Sequence, residues 1–239
     1  MLFYPKAIVF DLDGTLLDTY RLIFDSFNYA WAFRGVKLSD AEIEARFGPP
    51  EQGVIQGVIG EEWPEGLGRF HQYYQENHDR VIKLAPYWEQ ALSILKSKGY
   101  PLGLFTGKGE EATKITLACT GLAEYFDSIL TGTEVSCVKP DPEGILITAE
   151  RFGVKPEEII YVGDTWVDIR AARTAGAKSV LSSLYHSPDE RGLKLNPDWV
   201  VKTVEELQAW TTELAPVESK KRSYRTSSPG RVVNCGGPD

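Results

Sequence analysis

The chain has 239 residues, 42% hydrophobic and 25% charged, and its 26 Lys and Arg against 34 Asp and Glu leave a formal charge of −8. This is the make-up of a folded chain with apolar material for one large domain or one and a half ordinary ones, and it excludes disorder for most of the length. The acidic balance, with no basic stripe, argues against nucleic acid or an anionic membrane as the main partner, and an anionic substrate would need local help against the overall field.

The first residues, 1–11, are too short and too soon interrupted by charge to serve as a signal peptide. Ala7–Phe10 is a short apolar run that reads as a strand. The next stretch, about 65 residues, is far longer than a crossover requires, and it reads as helices over 20–33, 39–46, 51–59 and 62–77. Ser39 with Glu42 three residues later forms a capping box. Phe24, Phe27, Trp31, Phe47, Phe70 and Tyr74 supply a small second core for this insert. Gly53, Gly57 and Gly60 have a GxxxG-like spacing, but no apolar 20-mer surrounds them, so close helix packing inside the insert is the preferred reading. Helices and strands then alternate: helices at 88–98, 110–120, 142–152, 165–175 and 204–214, strands at 102–105, 128–130, 159–162, 179–181 and 199–201. Alternation of this kind predicts an α/β fold, a Rossmann-like parallel sheet core with an inserted all-helical cap. The expected division is a core of 1–18 and 85–216, a cap of 19–84 and a disordered tail of 217–239, rich in Ser, Gly, Pro, Lys and Arg. Cys119, Cys137 and Cys235 form neither a disulfide framework nor a CxxC pair, which favours a reducing compartment. No run reaches the roughly 18 apolar residues of a membrane span, and a cytoplasmic location is expected.

In an open parallel sheet, reactive groups gather beyond the carboxyl ends of the strands. Ala7–Phe10 runs into Asp11-Leu12-Asp13-Gly14-Thr15, Leu102–Phe105 into Thr106-Gly107-Lys108, and 159–162 into Gly163-Asp164-Thr165-Trp166-Val167-Asp168. Singly these have bland readings. Asp11 and Asp13 could be turn residues, although an EF-hand calcium loop is disfavoured because its glycine and final Glu positions hold Leu16 and Leu22. Asp164 could N-cap the following helix, and Asp168 could be a solvated first-turn acid. Lys139 alone would read as a surface lysine. Together they answer one need: carboxylates from two strand ends make a hard oxygen site suited to magnesium and a bound phosphate. A loop hydroxyl and backbone N–H groups can hold phosphoryl oxygens, and Lys139 can add positive charge.

The strings FDLDGTLLDT at 10–19, Thr106, Lys139-Pro140-Asp141-Pro142 and Gly163 to Asp168 resemble, in order, the four motifs of the haloacid dehalogenase superfamily, over roughly 6–183. The first and fourth are specific; the second and third count only in company. Within the superfamily, DxDGTLxD, the helical cap and KPDP resemble phosphoglycolate phosphatases and related small pyrophosphatases. Dehalogenases proper lack the second aspartate, here Asp13. The resemblance implies that Asp11 is the nucleophile that forms an aspartyl phosphate and that Asp13 is general acid, then base. It implies Mg2+ held by Asp11, the main chain of Asp13 and Asp164, with Asp168 behind through water. It also implies that Thr106, the Gly107 N–H and Lys139 bind the phosphoryl oxygens. The implied activity is magnesium-dependent hydrolysis of a small phosphorylated metabolite, phosphoglycolate phosphatase-like, with pyrophosphate hydrolysis or phosphosugar phosphatase or mutase chemistry as alternatives.

Arg46, Phe47 and the turn Gly48-Pro49-Pro50 lie where similar enzymes place substrate-selecting contacts. Arg46 could pair with a carboxylate or second phosphate, or be a solvated helix-end residue; Lys108 has a similar double reading. Asp18 and Thr19, with Leu84 to Pro86, are candidate hinges for a cap that closes over the reaction, while Asp18 as N-cap of the first cap helix is preferred. His71 and His78 are placed at the surface without a role, and no His/Cys group points to zinc. Two rivals remain: a dinucleotide fingerprint at Gly107 to Ala112, whose acid about 20 residues on is lacking, and a non-catalytic phosphate-responsive module of the receiver kind.

Overall fold

The computed structural model describes residues 5–217. The tail expected to be disordered lies outside the described residues except for Val217, whose N–H donates to the Lys98 carbonyl at 2.9 Å.

Six strands, β1 (Ala7–Phe10), β2 (Leu102–Phe105), β3 (Ser128–Leu130), β4 (Ile159–Gly163), β5 (Lys178–Ser182) and β6 (Trp199–Val201), form one parallel sheet in the order β3-β2-β1-β4-β5-β6. The order reverses between β1 and β4, which pair from Ala7↔Ile159 to Phe10↔Val162. Connections leaving these two strands run in opposite directions, so a crevice opens above their carboxyl ends.

Successive residues of a strand face opposite layers. Ala7 and Val9 pack with Ile145, Ala149 and Phe152 of α7 (Glu143–Phe152) and with Ala171 and Ala172 of α8 (Trp166–Ala175). Ile8 and Phe10 face the other layer, which includes Trp88, Leu92 and Leu95 of α5 (Pro86–Ser97) and Leu207 and Trp210 of α10 (Val204–Glu213). On the first layer the helix comes so close that a Cβ at Gly144 would lie 2.1 Å from the Phe105 ring. The remaining core helices are α6 (Glu110–Thr120) and α9 (Glu190–Lys194), the latter a single short turn that the sequence pattern did not announce.

Between β1 and α5 the chain forms α1 (Tyr20–Trp31), α2 (Asp40–Glu44), α3 (Glu51–Ile59) and α4 (Trp63–Val81). The capping box is present: Ser39 caps α2, and its N–H donates to Glu42 at 2.8 Å. Helix α1 packs on α4 through Phe27 and Phe70, ring centroids 4.8 Å apart.

Several expectations are corrected here. The insert does not enclose a separate second core; Phe27, Trp31, Phe70 and Tyr74 are buried in one continuous apolar cluster with Ile8, Phe10 and Trp88. Phe24 is only partly buried, and Phe47, in the turn after α2, is 39% exposed. Gly57 and Gly60 make no close contact, because the buried face of α3 runs through Glu51, Val54 and Ile55 and both glycines fall off it. The close approaches are at Gly53, where a Cβ would lie 2.7 Å from Pro49, and at Gly66, where it would lie 2.7 Å from Ile59 and 2.8 Å from Ile55. His78, expected at the surface, continues the Phe70 and Tyr74 face of α4 by another four residues and is buried against the Tyr74 ring. Among the described residues no helix is long and apolar enough to cross a membrane.

Candidate active site

Asp11 leaves β1 with its N–H bonded to the Val162 carbonyl of β4 at 2.8 Å, which seats the carboxylate at the crevice. The chain then turns at once: Gly14 has φ +79°, its N–H donates to the Leu17 carbonyl at 2.8 Å, and Leu16 and Leu17 are buried beneath the turn. A Cβ at Gly14 would lie 2.3 Å from Asp164 Oδ2, so only glycine allows the two loops to meet. Thr15 Oγ1 donates to Asp164 Oδ1 at 3.1 Å.

At the end of β4, Thr165, not Asp164, is the N-cap of α8, and its N–H and hydroxyl donate to Asp168 Oδ2 at 3.0 and 2.7 Å. Asp164 is thus spared the capping role and faces the crevice. Asp168 is no solvated acid: it is 1% exposed, and its other oxygen accepts from Lys139 at 2.6 Å. Lys139 also donates to Asp11 Oδ1 at 2.7 Å and to the Tyr161 hydroxyl at 3.2 Å. Oxygens of Asp11, Asp164 and Asp168, all buried, lie within 4.8 Å of one another.

Thr106 follows β2, anchored by its N–H on the Leu130 carbonyl at 3.1 Å, and its hydroxyl accepts from the Lys108 N–H at 3.2 Å. Asp13 takes the Thr19 hydroxyl at 2.6 Å on one oxygen and lies 3.2 Å from Lys108 Nζ on the other. Lys108 is buried over the Tyr74 ring at 4.6 Å, so it is not a solvated surface lysine, and the carboxylate it faces is Asp13 of the chain itself.

Burial dominates the electrostatics. It raises the Asp11 carboxyl well above the ordinary carboxylate range; Lys139 opposes the shift, while Asp168 and Asp164 add to it. Asp164 is raised by burial too, against hydrogen bonds from His186 and Tyr20. For Lys139 burial works against the charge, but Asp11 and Asp168 outweigh it and its pKa stands above the usual lysine value. Lys108 behaves alike, with Asp13 first among the groups that hold its charge. Three buried carboxylates around one lysine leave a deficit of positive charge, and an all-oxygen donor set of this kind fits a hard divalent cation.

The cavity over these groups has a volume of about 670 Å³ and is lined by Asp11, Asp13, Thr106, Gly107, Lys139 and Asp164 on the sheet side. Arg46 is not part of the lining; it is exposed just past the end of α2 and donates to the Glu42 carbonyl of that helix, so the helix-end reading is the one realised. Asp18 is exposed and Thr19 is the N-cap of α1, its hydroxyl turned to Asp13 instead of capping. The Gly107 to Ala112 string is spent on packing: the Gly109 N–H, which a dinucleotide would need, donates to Glu51 of α3 at 2.8 Å. A second group, His78, Asp79 and Cys119, also brings three ligand atoms within 4.8 Å, a His/Cys meeting the sequence reading did not foresee.

Two site residues were missed. Tyr20 donates to Asp164 Oδ2 at 2.9 Å, and His186 Nε2 lies 2.9 Å from the same oxygen. His186 sits in the loop after β5, so the strand-end rule applied to β5 would have found it.

A model of haloacid dehalogenase-like hydrolases matches residues 8–182. The chain belongs to the haloacid dehalogenase-like hydrolase family. It is 33% identical over 174 residues, 72% of this chain and 81% of the relative, to the pyrophosphatase PpaX of Bacillus velezensis. The PpaX pyrophosphatase of Oceanobacillus iheyensis is 27% identical over 84% of this chain and 94% of its own. Among solved structures, a haloacid dehalogenase-like family protein of Streptococcus pneumoniae superposes with a TM-score of 0.70 at 26% identity, covering 86% of this chain and 98% of that one. One from Haemophilus somnus 129pt, described as a "predicted phosphoglycolate phosphatase", gives 0.75 at 26% identity over 87% and 98%. This haloacid dehalogenase-like hydrolase is an enzyme of the phosphatase type.

Proposed function

We propose that this hydrolase is a magnesium-dependent phosphatase that cleaves a small phosphorylated metabolite, not a nucleic acid or a membrane lipid, by way of a phosphorylated Asp11. The observation that carries the reading is the meeting of Asp11, Asp164 and Asp168 around Lys139, with Asp13 held beside them. Asp11, Asp164 and the Asp13 main chain would hold the ion, with Asp168 behind, and it would neutralise phosphoryl oxygens and the carboxylates together.

The chain's own groups perform the transfer. An Asp11 oxygen attacks phosphorus as the bond to the leaving oxygen breaks. Asp13, fixed by Thr19 and Lys108, gives that oxygen a proton. It then takes one from the water that attacks phosphorus, freeing Asp11 and inorganic phosphate. Lys139 and the Thr106 hydroxyl, with the Gly107 N–H, stabilise charge on the phosphoryl oxygens. Tyr20, Thr15 and His186 orient Asp164. Phosphoglycolate, favoured by the motifs, and pyrophosphate, in the relatives' names, are the substrates these likenesses nominate.

Phosphate release from p-nitrophenyl phosphate tests the reading. Turnover should require Mg2+, stop with EDTA and vanish in Asp11→Asn while the far-UV circular dichroism spectrum is kept. Comparable turnover by that variant would remove Asp11 as nucleophile.

A further inference from the structure

The two walls of the cavity differ in chemistry. On the sheet side each lysine is already matched, Lys139 between Asp11 and Asp168 and Lys108 against Asp13. On the helical side the lining includes Ile23, Phe27, Ala45, Phe47 and Val54, and its only charged members are the carboxylates Glu44 and Glu51. Phe47 is the large exposed apolar side chain here, stacked on Phe24 with ring centroids 6.0 Å apart, so an aromatic surface stands open to the cavity. Arg46, the cation nominated for a second anionic group, is outside the lining and is bonded to the Glu42 carbonyl of α2.

Over the whole lining six carboxylates face three cations, the third being Arg191, which lies over the Trp166 ring at 5.0 Å and 3.8 Å from Asp189. A divalent ion and one phosphoryl dianion cancel one another to first order and leave that excess of acid in place. A second phosphoryl group or a carboxylate would then be desolvated against a mostly apolar and acidic surface, where the cation not matched to a lining carboxylate is the exposed Arg191, itself drawn to Asp189, and that is costly. An apolar group entering the same space gains from burial.

Resting on the phosphatase reading, we propose that the ester cleaved here has an uncharged leaving group with apolar surface, an aryl or arylalkyl alcohol seated against Phe47 and Val54, and that Glu44 repels anionic alternatives. The alcohol departs with the proton that Asp13 supplies as the Asp11–phosphorus bond forms.

The test compares kcat/KM for benzyl phosphate, phosphoglycolate and pyrophosphate at fixed Mg2+. The first two both release primary alcohols by cleavage of the same kind of ester bond, so their intrinsic reactivities are similar. Benzyl phosphate is expected to exceed each of the others by about tenfold or more. Phe47→Ala should narrow that ratio by roughly threefold or more, mainly through KM for benzyl phosphate, and Glu44→Gln should narrow it by raising kcat/KM for phosphoglycolate. Equal rates, or preference for either anionic substrate, would overturn the leaving-group assignment and leave the phosphatase reading standing. No phosphate from any of the three, nor from p-nitrophenyl phosphate, would overturn both.

Discussion

Gly14 shows how narrowly one residue can be determined. Its φ of +79° is a conformation that L side chains rarely adopt, and the space a Cβ would fill belongs to Asp164. Gly14→Ala should therefore lower phosphate release by on the order of 100-fold by displacing Asp164, and destabilise the fold by about 1–3 kcal/mol, both readable from steady-state assays and urea melts. His186 offers a pH test. Its hydrogen bond to Asp164, working against burial, pushes its pKa up from 6.5 to about 9. A histidine whose folded pKa is raised stabilises the fold fully below the unfolded value and loses that contribution as pH rises through the folded one. In metal-free protein the Tm should thus fall between pH 6.5 and about 9 more steeply than in His186→Gln. Matching slopes for the two proteins would deny the ion pair any part in stability.

At the scale of elements, the seam between α4 and α6 is closed by one buried hydrogen bond, Tyr74 to Thr116 at 2.9 Å. Tyr74→Phe keeps the ring beneath Lys108 and removes the hydroxyl that bonds Thr116 and also interacts with Lys108, so urea denaturation should show a loss of about 1 kcal/mol or more; no change would mean the neighbouring groups find other partners. Elements were also where sequence reading succeeded most. All six strands, and the Asp and Thr residues that follow three of them, are visible as apolar runs ended by turn chemistry, because a strand buried on both faces leaves no other pattern. The Ser39–Glu42 box was equally plain, being a local interaction. What was hidden depends on direction, not residue type. Spacing does not tell whether Asp18 or Thr19 caps α1, nor that Arg46 turns outward while its neighbour Phe47 faces the cavity. Gly57 and Gly60 were misjudged, though Gly53 was not, because their spacing is helical whichever side faces inward. Tyr20 escaped because its partner, Asp164, lies 144 residues away along the chain, and His186 because the loop after β5 does not open on an acid as those after β1 and β4 do.

For the molecule as a whole, one apolar cluster that holds Phe10 and Trp88 together with Phe27 and Phe70 makes the helical insert and the sheet share one interior. Calorimetry should accordingly record a single cooperative transition, and a Phe27→Ala variant, expected to cost about 3–5 kcal/mol, should shift that one peak instead of splitting it. Two resolved peaks in the parent protein would contradict the shared interior.

The strand order carries one more consequence, for the order of events during synthesis. Asp11 is made early, but it is seated by the Val162 carbonyl and paired with Lys139, both of which are translated long afterwards. A ribosome-bound fragment that stops short of β4 holds the Asp11 carboxylate without Asp164, Asp168 or the strand whose Val162 carbonyl seats it. Catalysis should therefore begin abruptly, once α8 has emerged and docked, and no truncated product ending before that point should be able to consume phosphate esters.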